Sequence, residues 1–123
     1  MKTSHDFDSI IDGFVINDYT NVIIGQLSNT TFKNCIFNRI TNGVFNCNLD
    51  NCAINNSNVI IQGNINNIKN ISKSENEIFN FDCRGNITNS TFDLNGNFSS
   101  NENYSITNCL LKIKGQSDIH SLN

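Results

Sequence analysis

The side chains of this sequence with chemistry to offer are two histidines, five cysteines and eight aspartates. His5 and His120 stand near opposite ends, each with a carboxylate close in sequence, but neither belongs to a pattern that supplies a nucleophile, a base and a group to orient the base. Both are expected to be solvated. The cysteines, at 35, 47, 52, 83 and 109, contain no C-x-x-C pair, so the spacing gives a zinc site no support. The glycines of "GQLSN" and "NGNF" lack the G-x-G-x-x-G or Walker spacing that cradles phosphate. The expectation is therefore no catalytic, cofactor-binding or metal-binding residues, no cofactor, and a protein that is not an enzyme. Binding residues are not assigned by the sequence.

The composition points to shape instead. Asn supplies 26 of the 123 residues, while Ala occurs once, Pro and Trp never, and Glu three times. That vocabulary disfavours helix. Asn tolerates left-handed backbone and hydrogen-bonds locally, so it suits a chain that turns a corner every few residues. Nine Phe and 37% apolar content supply enough burial to order such a chain, and its length fits one domain.

The corners have a period. In "CNLDNCAINNSNVII", residues 47–61, Cys47, Cys52 and Ser57 lie five apart, and Leu49, Ile54 and Val59 follow each by two. Five matches neither a helix nor a flat strand. The same beat runs through residues 20–39, where Thr20, Gly25, Thr30 and Cys35 precede Val22, Leu27, Phe32 and Phe37, and reappears in the pairs Ile87, Phe92 and Ile106, Leu111. The phrase "ITN" recurs at 40, 87 and 106. A chain of this kind can wind as a coil whose turns stack at about 4.8 Å through strand-like hydrogen bonds, with the large residue filling the interior and the small one turning inward near a corner. Cys47 and Cys52 are then reduced, buried core residues rather than half-cystines.

These units resemble the pentapeptide-repeat family, a right-handed quadrilateral β-helix, of which the chain would be an irregular member. The expected fold is all-β: a right-handed parallel β-helix or β-solenoid of about five coils. A three-sided coil with loops at its corners stands beside the four-sided one. Residues 40–46 and 62–84 fit the beat poorly, and "SKSENE" (72–77) and "SSNEN" (99–103) read as loops. Phe7, Ile10, Ile11, Phe14 and Val15 have the only helical spacing, which predicts a short N-terminal helical cap. The expected organisation is a cap segment over 1–19, a solenoid over 20–116 and a tail over 117–123.

Charge bears on partners. Residues 1–19 carry Lys2 against Asp6, Asp8, Asp12 and Asp18, which accounts for the whole formal charge of −3, whereas residues 20–123 balance. A neutral body has no electrostatic footprint for phosphate, so direct nucleic-acid binding is not expected. The family resemblance implies that some such proteins imitate duplex DNA in shape and charge and occupy enzymes such as type II topoisomerases; a balanced body fits that poorly. Other β-helices cleave polysaccharides with acidic clusters on one face, for which Asp50, Asp82 and Asp93 are the nearest carboxylates. With no membrane-length apolar run and no signal-peptide core in "MKTSHDFDSI", the reading is a cytoplasmic, non-catalytic, protein-binding solenoid, an inhibitor or scaffold of phage, bacterial or mobile-element type. A homodimer through an open solenoid end is the expected assembly. The alternatives are a carbohydrate-engaging module, such as a tail-spike fragment, and a self-assembling rod.

Overall fold

The computed structural model describes residues 9–25, 30–74, 76–101 and 103–119. The described chain winds through rungs of three short strands. The first rung is Ser9–Asp12 (β1), Val15–Asn17 (β2) and Ile23–Ile24 (β3); the second is Thr30–Lys33 (β4), Ile36–Asn38 (β5) and Gly43–Phe45 (β6). The third is Asn48–Asp50 (β7), Ala53–Asn55 (β8) and Val59–Ile61 (β9), and the fourth Ile65–Asn66 (β10), Lys69–Ser72 (β11) and Phe79–Cys83 (β12). The fifth is Ile87–Thr88 (β13), Thr91–Leu94 (β14) and Gly96–Ser100 (β15), and the sixth Ile106–Thr107 (β16), Leu110–Ile113 (β17) and Ser117–Asp118 (β18). Equivalent strands pair in parallel, giving three six-stranded sheets: a first containing β1, a second containing β2 and a third containing β3. The protein is an all-β solenoid of about five turns, and three sides of each turn carry strand.

The five-residue beat is one corner of this coil. In the first sheet the inward column is Ile11, Phe32, Leu49, Ile65, Ile87 and Ile106. In the second it is Ile16, Phe37, Ile54, Asn70, Phe92 and Leu111. Every rung steps five residues from one to the other. Cys47, Leu49, Cys52, Ile54, Ser57 and Val59 are all buried, as the pattern demands. The third sheet keeps a different rule: Phe79, Phe81 and Cys83 alternate with outward residues at the ordinary strand period of two, as do Gly96, Phe98 and Ser100. Inside, Phe37 lies edge-on to Phe45 at 4.9 Å, and Phe81, Phe92 and Phe98 form a second cluster with centroids 4.9 to 5.5 Å apart. Each such ring contributes about 2–3 kcal/mol by burial. Asn70 breaks its column: its Oδ1 accepts from Ser72 Oγ, while its buried Nδ2 has no hydrogen-bond partner among the described residues.

Several expectations change. The helical spacing near the N-terminus does not produce a helix among the described residues: Gly13, at φ +82°, ends β1, and strand geometry sends Ile10 outward and Ile11 inward where a helix would place them on one face. Phe7 lies outside the described residues, as do residues 120–123 of the expected tail, whereas Ser117–Asp118 form β18. Ser99 and Ser100, read as loop, end β15. Between β11 and β12 the chain does leave the coil, and a Ser74–Glu77 bridge closes that excursion. The beat slips at residues 20–25: Thr20 is exposed and Val22 half-buried, and Ile24 reaches the core instead.

Asn makes the corners. Among the described residues, ten that are not glycine have positive φ, and eight of these are Asn: 21, 34, 42, 51, 56, 67, 89 and 108. Only a short polar side chain that bonds locally occupies this region at low cost. Along the corner between the first and second sheets, the amides also bond from rung to rung: Asn34 Nδ2 donates to Asp12 Oδ1 (2.9 Å), Asn51 to Asn34, Asn67 to Asn51 (3.0 Å), Asn89 to Asn66 (3.0 Å) and Asn108 to Asn89 (2.7 Å). The bonds form two runs, Asp12 to Asn67 and Asn66 to Asn108, that together span all six rungs. Asn51→Ala is therefore expected to cost about 2 kcal/mol, from left-handed strain and lost ladder bonds together, and Asn51→Gly about half as much because glycine removes the strain. Urea unfolding of the pair checks this; equal losses would remove the backbone argument.

Candidate functional site

The residues that chemistry would use are not gathered. Asp50, Asp82 and Asp93 lie on the outer faces of the first, third and second sheets respectively, each beside a cation: Lys33 at 3.7 Å, Arg84 at 3.5 Å and Lys73 at 2.6 Å. The hydrogen bond from Lys73, with Lys112 adding its charge, holds the Asp93 carboxyl below its ordinary range. Arg39 does the same to Asp18, again chiefly through its hydrogen bond. Both pairs are exposed and screened, so they contribute little to stability. Among the described residues, no three His, Cys, Asp or Glu side chains gather as metal ligands. His5 and His120 lie outside the described residues.

Four of the five thiols are buried, and Cys109 is half-buried. Cys52 Sγ donates to Phe32 O (3.2 Å) and Asp50 O (3.3 Å), and Cys83 Sγ lies 3.6 Å from both Gly63 O and Gly85 O. Desolvation pushes the Cys47 and Cys83 thiols up to about 12 and Cys52 up to about 11. Groups held protonated in this way are neither nucleophiles nor metal ligands at neutral pH.

What remains is surface. On the third sheet the outward column is Ile23, Val44, Ile60, Asp82, Ser99 and Asp118. Asn42, Asn58, Asn80 and Asn97 run beside it. Asn58 Oδ1 accepts from Asn80 N (2.8 Å), Asn80 Oδ1 accepts from Asn97 Nδ2 (2.9 Å), and Asn97 Oδ1 accepts from Gln116 N (3.1 Å), so these amides are fixed in place. Between them lies a shallow concavity of about 400 Å³, whose apolar floor includes Val44 and Ile60 and whose far end holds Asp82. A larger hollow of about 830 Å³ lies near the sixth rung around the Lys73–Asp93 pair, with Lys112 and Lys114 on its wall. Ordering the long side chains of Lys112 and Lys114 there would cost rotamer entropy, whereas the third-sheet groove is built from backbone and ladder-bonded amides; the groove is the better candidate despite its smaller size. Sequence reasoning missed it because its signal, an apolar residue at the outward middle position of "GVF" and "VII", is too short to read as a period.

The chain matches no family model, no curated protein and no solved structure. The described residues include no helix long and apolar enough to cross a membrane.

Proposed function

We propose that the chain is a non-catalytic protein-binding solenoid of the cytoplasm, an inhibitor or scaffold, and an irregular relative of the pentapeptide-repeat proteins. One observation carries the reading: the third-sheet groove joins an apolar floor, Val44 and Ile60, to a row of Asn amides already held by their own ladder. A partner docking there meets hydrogen-bonding groups that need no ordering, which lowers the entropic cost of association. The described body carries seven acidic and seven basic residues, interleaved as ion pairs, so recognition by shape and hydrogen bonding is favoured over phosphate binding or imitation of DNA. A glycan-binding face would align exposed aromatics along one side; among the described residues Phe14 and Tyr19 sit on the first rung and Tyr104 between the fifth and sixth, with no exposed aromatic on the rungs between to make such a row.

The test is affinity capture from lysate of the source cell with the wild-type chain and with Ile60→Lys as bait, beside a glycan array. A protein retained by the first and reduced at least about tenfold with the second supports the reading. A glycan bound with no protein captured would replace it.

A further inference from the structure

Exposed large apolar side chains are most densely gathered at one end of the solenoid. Ile10, Phe14, Val15, Tyr19 and Ile23, all on the first rung, are each more than half exposed. Inside the same rung Ile11, Ile16 and Val22 are only half-buried, although their neighbours Phe32 and Phe37 are sealed. The outer edges of β1, β2 and β3 pair with no described strand. A ring of apolar side chains around three open edges is a surface for adding strands.

We propose that the occupant is the sixth rung of a second copy, stacked head to tail so that β16, β17 and β18 of one chain continue into β1, β2 and β3 of the next. Column register supports it. Leu110, 68% exposed, ends the outward column of the second sheet that Val15, 57% exposed, begins. Stacked, the two cover each other. Half-buried Leu111 then lies over Ile16, and Ile106 over Ile11. Thr107 ends the column begun by Asp12, setting a hydroxyl donor against a carboxylate. Charge selects the orientation. The first rung carries Asp12 and Asp18, the latter already paired with Arg39, and the sixth carries Lys112 and Lys114 against Asp118, with Lys112 ending the column of Asn17, next to Asp18. Two first rungs face to face would oppose carboxylates, and two sixth rungs would oppose lysines. The third sheet matches least, with Ile23 over Asp118. Head-to-tail contact is heterologous and does not close on itself, so it produces a growing rod.

Light scattering on the full chain and on two variants tests this. The wild-type mass is expected to rise with concentration beyond a dimer. Val15→Lys blocks only the first-rung end and Leu110→Lys only the sixth, so each alone is expected to be monomeric. An equal mixture then gives a one-to-one dimer that grows no further. Far-UV circular dichroism verifies that both variants keep the strand signal, and the milder pair Val15→Thr and Leu110→Thr should weaken assembly in the same direction. A wild-type chain that stays monomeric at every concentration, or a mixture that stays monomeric, overturns the proposal, since the ends are then covered by something other than each other. A dimer of Leu110→Lys alone overturns it in favour of first-rung pairing, and a dimer of Val15→Lys alone in favour of sixth-rung pairing.

Discussion

Gly85→Ala should destabilise the solenoid by about 3 kcal/mol or more, the largest loss from adding one methyl group anywhere along this corner. At Gly85 the chain turns from the third sheet to the first, and a Cβ there would lie 2.0 Å from Gly63 O and 2.4 Å from Gly63 C in the rung beneath. Both atoms are backbone and cannot rotate away, so the rungs must part and lengthen the hydrogen bonds around them. Gly63 stands in the same relation to Cys47 O, at 2.0 Å, so the two glycines mark a column where successive turns touch main chain to main chain. The backbone at Gly85 is not left-handed, which makes the cost purely steric. Gly13→Ala is the complementary case: φ is +82° with nothing within 4 Å of the added methyl, so only conformational strain of about 1 kcal/mol is expected. Urea midpoints of the two variants decide the matter. Should Gly85→Ala lose no more than Gly13→Ala, the turns are not in contact at this corner. The comparison bears on binding as well, because parted rungs would also break the spacing of the Asn row beside the third-sheet groove.

The part of the fold legible in the sequence is the part repeated without variation. Leu49 to Ile54 and Phe32 to Phe37 cross the first corner in five residues, and so does every other rung, so a period could be read there. The way back to the first sheet varies: Phe45 to Leu49 takes four residues, whereas Ile24 to Phe32 takes eight. No fixed period survives such variation, and residues 40–46 and 62–84 look irregular although β6, β10, β11 and β12 are as regular as their neighbours. The abundance of Asn was legible as corner chemistry, since the reason lies in single-residue φ preference. Its rung-to-rung bonding was not, because bonds between residues 16 to 23 apart depend on how the coil stacks. The third-sheet groove was hidden for the same reason: Val44 and Ile60 become neighbours only once β6 and β9 are paired.

Raising the pH from 8 to 10 should remove about 4 kcal/mol of stability through three thiols. Burial lifts Cys47 and Cys83 to about 12 and Cys52 to about 11 from an ordinary value of 9.0, desolvation being the largest cause in each. A folded value above the unfolded one means that the folded chain keeps a proton the unfolded chain releases. The stabilisation is therefore complete below about pH 9 and is lost as pH climbs toward 11–12. At pH 10 each thiol accounts for about 1.4 kcal/mol, one pH unit's worth of a single proton. Spread over a chain of this size, the three together lower the unfolding temperature by about 15 °C. Cys83→Ser replaces one thiol with a hydroxyl that does not titrate in this range, so its own loss between pH 8 and 10 should be about two thirds of the wild-type loss, whatever it costs at neutral pH. Thermal unfolding of both chains across this range checks the slope. An identical pH dependence for the two would mean that Cys83 is open to solvent, and a solenoid whose interior admits water at the fourth rung could not keep Phe81, Phe92 and Phe98 packed as they are.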